Sequence, residues 1–306
     1  MRVVVSGGSG FIGRAVIERL LLRGDSVTAL TRHVTSDLRQ HERLRWAAWD
    51  PEREGDWQRE LRGHDALVHL AGSPAVGRRF TDEARRDIMD SRVVSTRLLV
   101  EGLGKLGPSE CPRVFVCASG TGFYGPCGDD EVDEFAEAGR DFLAQVCVEW
   151  EDAARSADRY GVRVVHSRFG FVLGRGGGAL AKLVPIFKAY AGGKIGNGKQ
   201  WVPWVHLDDV AGAILHALGE PSLFGPMNVC APTAVTNAEL SRAIGKVLHK
   251  PALLPAPAFA LKLLYGEGAE PILTGQRAVP RVLLSHGYSF RFVDLEAALR
   301  DLLEEK

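Results

Sequence analysis

The sequence predicts an α/β protein, a doubly wound parallel sheet carrying a smaller C-terminal lobe, and three observations predict it. Short apolar runs at 3–5, 27–30, 67–70, 114–118 and 162–165 have the length and β-branched content of buried strands. Helix-length segments of mixed polarity separate most of them, as crossovers between parallel strands require. The first run leads directly into a glycine cluster, Gly7-Gly8-Ser9-Gly10-Phe11-Ile12-Gly13, followed by helical periodicity.

Taken in order, residues 14–22 form the first helix, stopped by Gly24. Residues 81–106 form a long helix with Thr81 in an imperfect capping pattern at its start and Val94, Leu98, Leu99 and Leu103 on one face. Residues 141–157 form the next, with Phe142, Val146, Trp150 and Ala153 at three- and four-residue spacing. After Phe169 the pattern changes to a loop, Gly174-Arg175-Gly176-Gly177-Gly178, a helix over 179–190 and a turn-rich stretch over 192–199. Loops of this kind in a compact protein are lids or surface connections. Residues 202–207 resume a strand, Asp208 and Asp209 cap a helix running to Leu218, and 227–229 form another strand. The tail has a helix over 236–248 and a proline-rich stretch at 251–257, but no strict alternation. A main domain of 1–169 plus 204–230 and a smaller lobe of 170–203 plus 231–306 follow, since a single core stops growing near ~250–300 residues.

Composition narrows the function. Lys+Arg and Asp+Glu each number 38, with no long run of either sign, so nothing electrostatic favours a nucleic acid or an anionic membrane surface. A small molecule is the expected ligand. The five cysteines, Cys111, Cys117, Cys127, Cys147 and Cys230, form no C-x-x-C pair and no metal spacing, which suits a reducing compartment. With no leader-like N-terminus and no apolar stretch of membrane-spanning length, a soluble, cytoplasmic protein is expected. Nothing in the acidic stretch Asp129, Asp130, Glu131, Asp133 and Glu134 has calcium-loop spacing, and a solvated loop is expected there.

The glycine cluster carries the strongest signal. Gly7, Gly10 and Gly13 stand where a dinucleotide-binding turn needs a tight bend, room for a pyrophosphate and close helix packing, and strand, turn and helix come in the Rossmann-type order. Ser9, Phe11 and Ile12 complete the turn, whose helix N-terminus turns unpaired N–H groups toward phosphate. An NAD-selective site of this type places a carboxylate about 20 residues onward, at the end of the second strand. Here that point reads Leu30-Thr31-Arg32. A guanidinium able to grip a 2′-phosphate, beside a threonine hydroxyl, favours NADP(H) over NAD(H); the alternative is an ordinary solvated charge.

Several further pieces together, His69-Leu70-Ala71-Gly72, Tyr124-Gly125 and Trp204-Val205-His206-Leu207-Asp208-Asp209-Val210-Ala211, resemble the extended short-chain dehydrogenase/reductase superfamily. More narrowly, Ser91-Arg92 with Ser95-Thr96, Cys147 to Trp150-Glu151, Val172 to Gly178, Pro203 to His206, Asn228 and Thr236 to Leu240 resemble its "epimerase family" branch, which is similar to sugar-nucleotide epimerases. The resemblance spans nearly the whole chain. It implies NADP(H) in the main domain, a substrate in the smaller lobe, and pairing into a homodimer through the helices at 81–106 and 141–157.

Residue by residue, the resemblance places Leu70 and Ala71 along the ribose and pyrophosphate, with plain strand packing as the alternative. Asp50 either reaches the adenine or serves a turn. Arg92 stands where relatives carry an asparagine near the nicotinamide, and either binds a cofactor phosphate or pairs with Asp87 or Asp90. The superfamily's Tyr-x-x-x-Lys pair puts a phenol and its activating lysine on one helix face. On ungapped placement Cys147 takes the tyrosine position and Glu151 the lysine position, and a glutamate raises a thiol's pKa. The usual mechanism does not transfer. Ser119 and Thr121 are the candidates for the assisting hydroxyl, although Gly120 can occupy that place itself, and Tyr124 is a candidate substitute acid. His206, near Asp208 and Asp209, is either an acid/base or a structural link between lobes. Two functions stand: an NADP(H)-dependent oxidoreductase or epimerase-like enzyme acting on a small polar substrate, including a sugar nucleotide, or a non-catalytic NADP(H)-binding sensor or regulatory module.

Overall fold

The computed structural model describes residues 1–304. Its centre is a seven-stranded sheet of β1 (Arg2–Ser6), β2 (Ser26–Thr31), β3 (Leu44–Ala48), β4 (Ala66–His69), β5 (Val114–Gly120), β6 (Arg163–Phe169) and β7 (Gly225–Val229). Neighbours run in the order β3-β2-β1-β4-β5-β6-β7, every pair parallel. The order reverses between β1 and β4, and in open sheets of this kind ligands lie in the crevice beyond the carboxyl ends at that point.

Helices α1 (Phe11–Arg23), α2 (Asp82–Gly104), α3 (Phe142–Arg155) and α5 (Leu207–Gly219) cover its two faces, while α4 (Gly178–Lys188) and α6 (Asn237–Val247) belong to the smaller lobe. On one face Val16, Ile17 and Leu20 of α1 and Val210 and Ile214 of α5 bury against Val3, Val5 and Val68. On the other, Leu99 and Leu103 of α2 and Trp150 and Ala154 of α3 bury against Val4, Leu67 and Phe115. Local chemistry sets the ends. Thr81 caps α2 by accepting from Ala84 N–H at 3.2 Å, Asp141 caps α3 through Ala144 N–H at 2.9 Å, and Gly24 ends α1 at φ +94°. Helix α5 departs from expectation: its cap is His206, whose Nδ1 accepts from Asp208 N–H at 3.0 Å. That leaves Asp209 free to accept from Arg291 and Phe292 N–H at 2.7 and 3.0 Å, pinning the C-terminal segment to the sheet domain.

Strand β3 was not among the expected runs. It is an edge strand in which only Leu44 and Ala47 are buried, so its apolar signal is short and broken by Arg45. The smaller lobe has its own core, where Leu180 and Phe187 of α4 meet Leu240 and Ile244 of α6 and Leu295 and Leu299 of the C-terminal helix Leu295–Leu303. The tail does not stay in that lobe. Val282 and Leu283 cross back and join the core beside α5 and β7, so the described stretch 231–304 is shared between the two bodies.

Candidate functional site

The glycine turn is shaped by close backbone approach. Gly7 stands at φ +70°, and a Cβ there would lie 2.7 Å from the Leu70 carbonyl carbon and 2.8 Å from Ala71 N. Leu70 and Ala71 therefore form the other wall of the same crevice, as Leu70 N–H bonds to Ser6 O at 3.1 Å. A Cβ on Gly13 would run into the Gly7 carbonyl, so the helix can sit this near the turn only with glycine there. Gly10 N–H bonds back to Gly7 O, and the first intrahelical bond runs from Arg14 N–H to Gly10 O. The N–H groups of Phe11, Ile12 and Gly13 precede that bond, and neither a capping side chain nor an acid in the first turn occupies them. Ser9 lies exposed on the rim, and Ile12 packs inward on the sheet core. Such a turn fits a pyrophosphate, with the dipole end of α1 aimed at it.

Phe11 reaches across to the second glycine loop. Cβ atoms on Gly174 and Gly178 would lie 2.5 and 2.8 Å from its ring, so that loop lies flat on Phe11. Arg175 anchors the loop to the C-terminal helix, donating to Asp301 O at 2.8 Å and Glu304 O at 3.1 Å.

At the end of β2, Thr31 is buried and donates its hydroxyl to His33 O at 3.1 Å, so Thr31 shapes the bend while the neighbouring Arg32 stands exposed. Asp50 accepts from Glu52 N–H at 2.9 Å, the turn-forming alternative rather than an adenine contact in this conformation.

Across the crevice, α3 lies against the end of β5. Cys147 Sγ lies 3.7 Å from Gly120 O, and burial, reinforced by the Glu151 charge, pushes its thiol up to about 11. One turn on, Glu151 is buried and forms a two-pronged ion pair with Arg168, with both bonds at 2.8 Å. Ser119 donates to Glu151 Oε1 at 2.7 Å. Arg168 extends the chain, donating to the Tyr124 hydroxyl at 3.1 Å and lying over the Phe123 ring at 3.4 Å. Tyr124 donates in turn to Asn228 Oδ1 at 2.7 Å, and burial raises its pKa. Asn228 N–H and Val282 N–H both donate to Glu134 Oε1, at 2.8 and 3.2 Å. Glu134 is thus the exception to the solvated acidic loop: it is buried, and its other oxygen has no hydrogen-bond partner among the described residues. Thr121 is buried just beyond β5, at the start of the turn that leads to Tyr124.

Sequence reasoning brought Ser119, Tyr124, Cys147 and Glu151 to one place but did not find Arg168 or Glu134. A charge inside the apolar strand His166-Ser167-Arg168-Phe169 was the available signal. Nothing in the sequence distinguishes Glu134 from its exposed neighbours.

Arg92 is half-buried between α2 and α3, donating to Ile88 O at 3.0 Å and Ser73 O at 2.8 Å and lying 5.2 Å from the Trp150 ring centre. Asp87 does not pair with it; that carboxylate takes Arg78 at 2.6 Å and Ser73 Oγ at 2.9 Å. Burial lowers the Arg92 pKa, while the Ile88 and Ser73 carbonyl oxygens hold its guanidinium near Cys147. Beneath it His69 is fully buried between Ser6 Oγ at 2.5 Å and Ser95 Oγ at 3.2 Å, and burial drives its pKa down to about 3. His206, besides capping α5, stacks on Phe292 with ring centres 3.9 Å apart. Its ring has a structural task at the join of the two lobes.

An all-parallel sheet with an open glycine turn at its reversal point defines a Rossmann-type dinucleotide-binding protein. Residues 3–230 match the model of the NAD dependent epimerase/dehydratase family, and residues 256–302 match a domain of unknown function, DUF1731. The chain belongs to the NAD dependent epimerase/dehydratase family, within the extended short-chain dehydrogenase/reductases. It is 37% identical to the epimerase family protein SDR39U1 homolog, chloroplastic, of Arabidopsis thaliana, over 99% of this chain and 87% of that protein. The crystal structure of human epimerase family protein SDR39U1 (isoform 2) with NADPH superposes at a TM-score of 0.89 with 34% identity, covering all of both chains. A nucleoside-diphosphate sugar epimerase from Corynebacterium glutamicum superposes at 0.78 with 32% identity, covering 99% of this chain and 58% of that one. No described helix is long and apolar enough to cross a membrane.

Proposed function

We propose that this chain is an NADP(H)-dependent enzyme, an oxidoreductase or epimerase-like protein acting on a small polar substrate between the main domain and the smaller lobe. The carrying observation is the conjunction at one crevice of an uncapped glycine-turn helix with an exposed Arg32 in place of a carboxylate at the end of β2. The NADPH bound in the human relative supports the same reading.

In this reading Phe11, Ile12 and Gly13 N–H groups hold the pyrophosphate, Arg32 holds the 2′-phosphate, and Leu70 and Ala71 bound the ribose side. The nicotinamide, when bound, supplies or accepts a hydride. Arg92 keeps a positive charge at the inner end of the crevice, and the buried Trp150 and Cys147 beside it exclude water. Helix α3 contains neither tyrosine nor lysine, so the chemistry proceeds without the Tyr-x-x-x-Lys pair. Ser119, Thr121 or a water delivers the proton to the substrate oxygen. Glu151 accepts from Ser119 and is itself gripped by Arg168, so Ser119 serves the relay only when its hydroxyl turns from Glu151 to the substrate. The homodimer through α2 and α3 belongs to the same proposal, and Arg97 of α2 already pairs with Glu149 of α3 at 3.6 Å on that face.

Titrating the protein with NADPH and then following NADPH consumption over a panel of carbonyl and sugar-nucleotide compounds tests this. Turnover that falls ~10²–10⁴-fold in Ser119→Ala or Thr121→Val supports the enzyme and places the relay. Tight NADPH binding with no turnover across the panel supports the second reading, a binding module whose occupancy tightens the two lobes. The commitment of Glu151, Arg168 and Tyr124 to one another favours that reading.

A further inference from the structure

Beyond the end of β5 lies a cavity of about 280 Å³ between α2, α3 and the segment 267–276 of the tail. Gly122 and Leu143 are among its lining, and Leu143 stands one helical turn before Cys147, so the cavity lies beside the crevice proposed for the nicotinamide. Its lining among the described residues carries one cation, Arg85, and three carboxylates, Asp141, Glu267 and Glu270.

A site for a phosphate-bearing ligand uses an arginine fork or a free helix N-terminus. This cavity has both, and the chain's own carboxylates occupy each. Arg85, held against Phe142 with its guanidinium carbon 4.5 Å from the ring centre, is paired with Glu267. The N-terminus of α3 is capped by Asp141, which accepts from Ala144 N–H at 2.9 Å. Glu270 adds a further negative charge. A pyrophosphate placed here would meet repulsion and no unoccupied donor cation.

We propose that this cavity is the substrate site and that it selects a small polar molecule without phosphate or carboxylate, such as an uncharged or amine-bearing carbonyl or hydroxy compound, and rejects sugar nucleotides. This rests on the reading of the chain as an NADP(H)-dependent enzyme and narrows its substrate class. Specificity here comes from repulsive groups as much as attractive ones.

The test uses glucosamine, glucose and glucuronate, one ring with charge +1, 0 and −1, and UDP-glucose. Binding to the whole protein is read by saturation-transfer NMR, with and without NADPH. Glucosamine and glucose should bind at least tenfold more tightly than glucuronate, with UDP-glucose undetected, and 0.5 M salt should narrow the gap. Glu267 and Glu270 are both exposed, so Glu267→Gln/Glu270→Gln should fold normally while releasing Arg85 and raising glucuronate affinity at least tenfold. Equal or tighter binding of glucuronate or UDP-glucose to the wild type, an unchanged order in the double variant, or no signal from any of the four overturns the proposal. NADPH binding, read separately by its own fluorescence, decides the cofactor assignment, so failure there is distinguishable from failure of the charge selection.

Discussion

The two ends of the crevice are built on opposite plans. At the glycine turn, recognition is made of backbone: N–H groups at a helix start with no capping side chain, and walls that approach so closely that Gly7 and Gly13 admit no Cβ. At the α3 end it is made of side chains already bonded to one another, from Ser119 through Glu151, Arg168 and Tyr124 to Asn228 and Glu134. The first end keeps its donors for a ligand. The second spends them on the fold, joining β5, β6, β7 and α3 through a buried network whose energy depends on every partner being present.

The sharpest way to break this contrast is at Glu151. Glu151→Gln leaves Arg168 buried without its counter-charge and should cost about 3–5 kcal/mol in denaturant unfolding, the range for breaking a buried ion pair. Replacing both members, Glu151→Leu with Arg168→Met, should recover a large part of that loss. If instead the single variant keeps full stability and loses only turnover, the network is catalytic rather than architectural.

Acid titration of stability comes next. Burial holds His69 near 3 and His166 near 4, whereas both ionise near ~6.5 in the unfolded chain. The unfolded state therefore binds more protons between those limits. Stability conferred by the neutral rings is complete above pH ~6.5 and is lost as pH falls toward 4, by up to ~1.4 kcal/mol per pH unit for each histidine. His69→Gln should flatten the pH dependence of the urea midpoint, and an unchanged slope would show that His69 is not a source of it.

At the other end, Arg32→Ala should weaken NADPH binding about 10- to 100-fold, the loss expected for charge-assisted hydrogen bonds of about 1.5–3 kcal/mol, and leave NADH nearly unaffected. Equal losses would remove Arg32 from the cofactor. The smallest effect sharpens the background: Thr236→Ala removes the capping box of α6, in the smaller lobe away from both ends, and should cost about 1 kcal/mol with NADPH affinity unchanged.

Legibility followed the same division. The strand-turn-helix at Val5, Gly7, Gly10 and Gly13 was readable because glycine spacing reports backbone geometry directly, and the cap at Thr81 was nearly so because caps are local. Only the cap of α5 was misassigned, to Asp208 and Asp209 instead of His206, because His206 and Asp209 both turn inward and their partners, the Phe292 ring and the Arg291 and Phe292 N–H groups, lie 82 to 86 positions away. The C-terminal helix Leu295–Leu303 carried its signal openly, with Asp294 as cap and Leu295, Leu299 and Leu302 on one face, but lay outside the alternation that organised the rest.

By itself the sequence determined the parallel α/β plan, the place of the dinucleotide turn and the identity of Cys147 and Glu151 on α3, since periodicity, glycine spacing and helix register are properties of short stretches. Only the tertiary structure decided that Glu151 meets Arg168, that Glu134 turns inward to Asn228 and Val282, and that Arg85 and the start of α3 face one cavity already neutralised by carboxylates. Those are contacts between residues 17 to 182 positions apart, and a buried charge finds its partner only when packing removes the water that would otherwise satisfy it.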